Sequence, residues 1–239
     1  MSPRWTALRK VAIEGNIGAG KSTLLRLMKQ KSIDRLSLDI VPEPLAKWQQ
    51  IGKGSNLLDK FYKDPIRWAY TFQTYACISR IRAQITASTS HLEGQMNPAL
   101  FFERSVYSDR LCFALNSYQA GFLSEMEWNL YCDWHTFIVE TLAGLNLDGI
   151  IYLRTNPKIC FSRLQKRSRP EEKTVELSYL QNLHQKHENW LNSTENDPSV
   201  PQILKRFPVL VLDGNEDFEN FPEKQEEMLK EIIQFLAKG

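Results

Sequence analysis

Five short apolar runs punctuate the chain: Val11-Ala12-Ile13, Leu38-Asp39-Ile40-Val41, Leu100-Phe101-Phe102, Gly149-Ile150-Ile151-Tyr152-Leu153 and Val209-Leu210-Val211-Leu212. None alternates strictly between apolar and polar, so each reads as a strand of a parallel sheet, covered on both faces. The stretches between them are long enough for crossover helices. One is expected over 22–31. Over 65–91, Trp68, Phe72, Tyr75, Ile78, Ile81 or Arg82, and Ile85 fall near a 3.6-residue period, which predicts a long helix. The helix expected over 124–142 opens with Ser124 as N-cap and Glu127 at capping-box spacing. A last helix, 222–238, carries Met228, Leu229, Ile232, Ile233 and Leu236 on one face. Strands alternating with helices predict an α/β fold, a doubly wound five-stranded parallel sheet with helices on both faces. Such sheets bind ligands at the carboxyl ends of their strands, here after Ile13, Val41, Phe102, Leu153 and Leu212.

A chain of 239 residues fits one such domain, spanning 1–239. Its 42% hydrophobic and 24% charged residues are ordinary for a globular protein. A net charge of +2 gives no electrostatic case for nucleic acid or an anionic membrane as partner. Cys77, Cys112, Cys132 and Cys160 have no metal-site spacing and read as reduced, mostly buried thiols inside a cell. No apolar stretch approaches 18 residues, and the first ten residues lack the apolar segment of a secretory signal. The expected location is the cytoplasm, with nucleus and mitochondrion left open.

The first strand leads into Gly15-Asn16-Ile17-Gly18-Ala19-Gly20-Lys21-Ser22-Thr23, a full match to G-x-x-x-x-G-K-S between a strand and a helix. The glycines let backbone N–H groups point at phosphate oxygens, and the following helix adds its N-terminal dipole. Lys21 is expected on the β- and γ-phosphates of a nucleoside triphosphate, and Ser22 on Mg²⁺.

The third run ends in Glu103-Arg104-Ser105-Val106-Tyr107-Ser108-Asp109-Arg110. A carboxylate at a strand's end opposite such a loop can take a proton from an attacking hydroxyl, and Arg104 can neutralise phosphate charge. The base reading of Glu103 is preferred; the alternatives are a Mg²⁺ anchor and a capping acid paired with Arg104, and base and metal roles can coexist. In Val41-Pro42-Glu43-Pro44 two prolines fix the backbone around Glu43, which suits a ligand-binding acid and equally a solvated turn. Asp213 also ends an apolar run, but here the turn reading is preferred, with Gly214-Asn215-Glu216-Asp217-Phe218 as a loop over a nucleotide base.

On the 65–91 helix Gln73, Ala76 and Arg80 share one stripe beside Phe72, a floor on which a flat heterocycle could stack and pair with the Gln73 amide. Taken alone, a polar stripe more often faces solvent. After the fourth run come Arg163, Lys166, Arg167 and Arg169, with Pro170 expected to stop the helix. This cluster reads as a lid, about 163–173, whose Arg163 and Arg167 stabilise charge on a transferring phosphoryl group.

The ordered set EGNIGAGKST, VPEPLAKW, TFQTYACISRIRAQ, FFERSVYSDR, Asp133–His135, the arginine run ending in Glu171-Glu172, LHQKHENWL and LDGNEDF resembles the deoxynucleoside kinase family, on the deoxycytidine and deoxyguanosine kinase branch, over nearly the full chain. The resemblance implies a P-loop NTPase-type fold and a homodimer. It also implies transfer of the γ-phosphoryl of ATP, or UTP, with Mg²⁺, to the 5′-hydroxyl of a deoxynucleoside. Deoxycytidine is the expected acceptor, with deoxyadenosine and deoxyguanosine also taken. It makes Glu103 the general base and Arg104 its neighbour on the phosphates. Glu43 would lie near the 5′ end, Gln73 on the base, Phe72 and Phe113 as its walls, and Leu58 in the same pocket. Tyr62 and Glu172 would grip the 3′-hydroxyl, and Arg80 with Asp109 would admit cytosine and purines. Arg163, Arg167 and Arg169 would form the lid, and Glu216, Asp217 and Phe218 (loop about 213–221) would meet the donor base.

Two departures stand out: a short segment between Trp48 and Asn56, and Phe61 where deoxycytidine kinase carries methionine. Other readings are a GTPase switch, against which stands the lack of an NKxD-type motif, a non-catalytic nucleotide-binding protein, and a kinase of another small alcohol. Trp128, Tyr131, Trp134 and Phe137 are candidates for core or for a helix–helix contact between copies.

Overall fold

The computed structural model describes residues 5–31, 36–87, 89–192 and 207–238. All five apolar runs are strands: β1 (Arg9–Glu14), β2 (Ser37–Val41), β3 (Pro98–Glu103), β4 (Gly149–Arg154) and β5 (Val209–Asp213). They form one parallel sheet in the order β2-β3-β1-β4-β5. Along β1, Val11 and Ile13 join a core on one face while Ala12 joins a second core on the other. Burial of both faces explains why the runs of the central strands β1, β3 and β4 do not alternate.

The helices are α1 (Lys21–Gln30), α2 (Leu45–Gln49), α3 (Leu57–Lys63), α4 (Pro65–Thr86), α5 (Val106–Ser108), α6 (Leu115–Gln119), α7 (Glu125–Thr141), α8 (Pro157–Arg167), α9 (Leu177–Leu191) and α10 (Pro222–Lys238). Between α5 and α6, Asp109–Ala114 is wound as a π-helix, a form concentrated at functional sites. The capping box at Ser124 and Glu127 opens α7 as expected.

Two expectations for helices need correction. The 65–91 helix ends at Thr86, and a 3-10 turn at Ser90–Leu92 follows; Ser88, within the expected span, lies outside the described residues. Its expected apolar stripe is buried only in part: Phe72 and Ile81 are buried but Ile78 and Ile85 are exposed, and Ala69, Gln73, Ala76, Cys77 and Arg80 share the buried face. Polar side chains occupy this core-facing stripe because they line a cavity. The arginine-bearing helix stops at Arg167, where Ser168 turns left-handed at φ 52°, and Pro170 instead opens a 3-10 turn, Pro170–Thr174.

A third apolar cluster joins Trp48, Leu57, Leu58, Phe61, Phe72 and Ala76 from α2, α3 and α4. It walls the carboxyl side of the sheet next to the glycine-rich loop.

Candidate active site at the carboxyl ends of β1 and β3

β1 and β3 are neighbours, and their register sets Ile13 beside Glu103. The loop after β1 and the acid ending β3 therefore open side by side. Gly18 and Gly20 have φ of 77° and 105°, and a Cβ on Gly18 would come within 2.5 Å of the Cys160 carbonyl oxygen. Both the winding and the close approach require glycine. A cavity of about 900 Å³ runs from this loop to the α3–α4 wall, large enough for more than one small ligand.

Ile17, Gly18, Gly20, Lys21, Ser22 and Thr23 line its phosphate-cradle end. Gly15, Asn16 and Ala19 act from behind. The Gly15 carbonyl accepts from Lys21 Nζ at 3.2 Å and from Arg104 Nη1 at 2.8 Å, and Asn16 Nδ2 donates to the Leu180 carbonyl. Ser22 Oγ donates to Glu103 Oε1 at 2.6 Å, so the β3 carboxylate points into the same cleft as the loop. Burial and the nearby Arg104 pull the Lys21 ammonium down to about 7, against the opposing pull of Glu103 and Glu43.

Glu43 sits between two guanidinium groups, Arg80 Nη2 at 3.0 Å and Arg104 Nε at 3.2 Å. Burial pushes its carboxyl up, but Arg104, Arg80 and Lys21 outweigh that and hold it below the usual carboxylate range. The prolines on either side thus present a half-buried acid paired to two arginines rather than a solvated turn. Arg80 also bonds Asp109 Oδ2 through Nε at 2.9 Å and the Glu103 carbonyl through Nη1 at 3.0 Å. Burial works against its charge, yet Asp109 and Glu43 prevail and keep it protonated. Arg104 adopts φ 67° and lies 4.6 Å from the centre of the Phe113 ring. Behind them Glu14 is fully buried and accepts from Ser105 Oγ at 2.5 Å; burial raises its carboxyl above the usual range.

At the far end Gln73 is buried, its Nε2 donating to Ser117 Oγ at 3.2 Å. Phe72 stacks on Phe61 with centroids 4.7 Å apart and planes 12° apart, so the larger ring at position 61 forms part of the wall. Leu58, Tyr62, Asp109, Phe113 and Glu172 also line the cavity.

The arginine run falls into two groups. Arg163 Nη1 donates to the Ala19 and Gly214 carbonyls, and Nη2 to those of Asn215 and Glu216. Its charge is 5.9 Å from the Phe218 ring. Arg167 and Arg169 both pair with Glu172, at 2.6 and 2.8 Å. All three arginines line the cavity, as do Asp217 and Phe218. Glu216 turns only its carbonyl inward; its carboxylate faces Lys224 at 3.6 Å. Asp213 holds a turn, accepting from the backbone and side-chain nitrogens of Asn215.

Sequence reasoning missed Trp48 and Tyr179, which line the cavity from α2 and α9. Tyr179 packs edge-on to Tyr62 with centroids 6.4 Å apart. Its signal was its place one residue before Leu180, the start of the buried stripe Leu180, Leu183, His187 and Leu191.

A parallel sheet, a G-x-x-x-x-G-K-S loop and a carboxylate facing that loop define a P-loop phosphotransferase. The deoxynucleoside kinase family profile matches residues 11–237. The chain is 48% identical to deoxycytidine kinase 2 of Gallus gallus, over 96% of this chain and 91% of that one. It is 41% identical to deoxycytidine kinase of Homo sapiens, over 99% and 94% of the two chains. With the mitochondrial deoxyguanosine kinase of Xenopus laevis it shares 42% identity over 96% and 90%. The chain belongs to the deoxynucleoside kinase family: it is a transferase that moves a phosphoryl group from a nucleotide donor to a deoxynucleoside, in salvage. No helix among the described residues is long and apolar enough to cross a membrane.

Proposed function

We propose that the protein phosphorylates the 5′-hydroxyl of deoxycytidine, and of deoxyadenosine and deoxyguanosine, using ATP, with UTP as a second donor. One domain carries the whole site, closed by a lid at about 163–173 and by the donor-base loop at 213–221. The observation that supports this reading most is the 2.6 Å bond between Ser22 and Glu103, which puts a proton acceptor and the triphosphate cradle in one cleft.

The donor's phosphates lie on the 15–23 loop with Lys21, and its base lies against Phe218 and Asp217. The acceptor lies between α4 and Glu43. Gln73 pairs with its base, Phe72 and Phe113 flank that base, and Tyr62 with Glu172 holds the 3′-hydroxyl. Glu103 takes the proton of the 5′-hydroxyl as its oxygen attacks in line. Arg104, and Arg167 and Arg169 once drawn from Glu172, neutralise charge on the moving phosphoryl group. The Arg80–Asp109 pair fills the space a thymine methyl would need. Ser22 and Glu103 supply two oxygens at the cradle. Mg²⁺ takes only one or two protein oxygens beside phosphates, so these residues suffice to hold it. Bound there, the ion would supply positive charge against the donor's phosphates.

The relatives named deoxycytidine and deoxyguanosine kinases support the acceptor class. Exposed Ile78 and Ile85 on α4 and Met126, Leu130 and Phe137 on α7 support a homodimer. Four free thiols, three of them buried, support a reducing compartment, with the cytosol as the first choice. In Glu103→Gln, acceptor-dependent ADP release should fall at least about a hundredfold with donor binding retained. Near-normal turnover would remove Glu103 from the chemistry.

A further inference from the structure

The two acids that follow the arginine run point in different directions. Glu172 takes Arg167 and Arg169. Glu171, 8% exposed, takes two side-chain amides on a single oxygen: Oε1 accepts from Gln49 Nε2 at 2.9 Å and from Asn56 Nδ2 at 2.7 Å.

Those amides come from the two ends of one tight turn. Gln49 ends α2 and Asn56 caps α3, its Oδ1 accepting from the Asp59 N–H at 2.9 Å. An Ile51–Ser55 bridge closes the turn, with Gly52 and Gly54 at φ 58° and 101°. The shortness of this segment is what brings both amides onto the same carboxylate. Burial pushes the Glu171 carboxyl up, but a backbone N–H, Asn56 and Gln49 outweigh it, and it lies below its ordinary range. The α3 helix so held carries Leu58, Phe61 and Tyr62, of which all three line the cavity.

We propose that Glu171 is a positioning residue for the phosphoryl acceptor. It fastens the α3 wall to the turn that carries Glu172, so Tyr62 and Glu172 keep one relative placement at the acceptor end of the cavity. A contact needed only for folding would move stability and leave the two substrates' KM values alike. The proposal rests on reading the α3 end as the acceptor site; Glu103→Gln and wild-type turnover test that reading separately.

The test is a swap of hydrogen-bond polarity. Asn56→Asp keeps an oxygen to cap α3, since aspartate caps as well as asparagine, but sets a carboxylate against Glu171. Acceptor KM should rise at least about tenfold while donor KM stays within about twofold. Adding Glu171→Gln puts a donating amide opposite the new acid and should bring acceptor KM back to within about threefold of wild type. An unchanged acceptor KM in Asn56→Asp, an equal rise in both KM values, or a double variant no better than Asn56→Asp would overturn the proposal. Should Asn56→Asp fail to fold, Gln49→Ala carries the same test. It removes one of the two donors and should raise acceptor KM about threefold or more; no change there would be equally fatal.

Discussion

Lys21 is a cation that its surroundings in the cradle disfavour. Buried and close to Arg104, it is drawn down to about 7. Phosphates placed next to it favour the ammonium, so its pKa rises on donor binding. At pH 8 the free protein holds Lys21 mostly neutral and the complex holds it charged, so binding takes up most of a proton. At pH 5 it is charged in both states and uptake vanishes. Calorimetry in buffers of different ionisation enthalpy should show this, and Lys21→Arg, charged throughout, should lose it. Buffer-independent heats at pH 8 would refute the assignment. At this scale the sequence was most legible where one short motif places the residues: the glycine loop, Ser22, and Glu103 at a strand end, which share one cleft. It was least legible for Glu171 and Tyr179, whose surroundings come from α2, α3 and other distant segments. Spacing along the chain does not encode such neighbours.

Among elements, α7 obeyed local rules. Ser124 Oγ accepts from the Glu127 N–H, and the Glu127 carboxylate accepts from the Ser124 N–H at 2.8 Å. Ser124→Ala should cost about 1 kcal/mol, roughly 2–4 °C in Tm for a chain of this size, without changing KM. An unshifted melting curve would show that the box is idle. By contrast, α4 followed the periodicity argument in being a helix but only in part in the face it buries. Its isoleucines at 78 and 85 face outward and its buried stripe carries Gln73 and Arg80. Hydropathy patterns assume an oily core, whereas this helix faces a polar cavity on its inner side. The π-wound Asp109–Ala114 segment was likewise illegible, because no residue type marks that winding.

For the whole molecule, the sheet was the most predictable level. Five runs became five parallel strands, since each is short and apolar, the three central ones covered on both faces and the edge strands β2 and β5 only in part. Their order, and so the meeting of the loop after β1 with the end of β3, depends on pairing between segments roughly ninety residues apart. The outer surface makes its own prediction. Met126 and Phe137 on α7 are 72% and 65% exposed, and Leu130 lies between them in the chain. Exposed apolar surface of this kind marks an association face. Light scattering should give twice the chain mass for the wild type, and Leu130→Glu with Phe137→Glu should halve it. A wild type that stays monomeric at about 10 µM would argue against a homodimer of ordinary affinity.

Arg163 grips the stretch from Gly214 to Glu216 entirely through main-chain oxygens. Such a grip reads the path of the chain and ignores its lettering. Within that stretch the exposed Glu216 side chain is therefore free to drift over evolutionary time, or to be exchanged by an engineer, while Gly214, where a Cβ would collide with Thr155 Oγ1, and Asn215, whose amide bonds Asn156 and Asp213, keep the loop's course past the cradle.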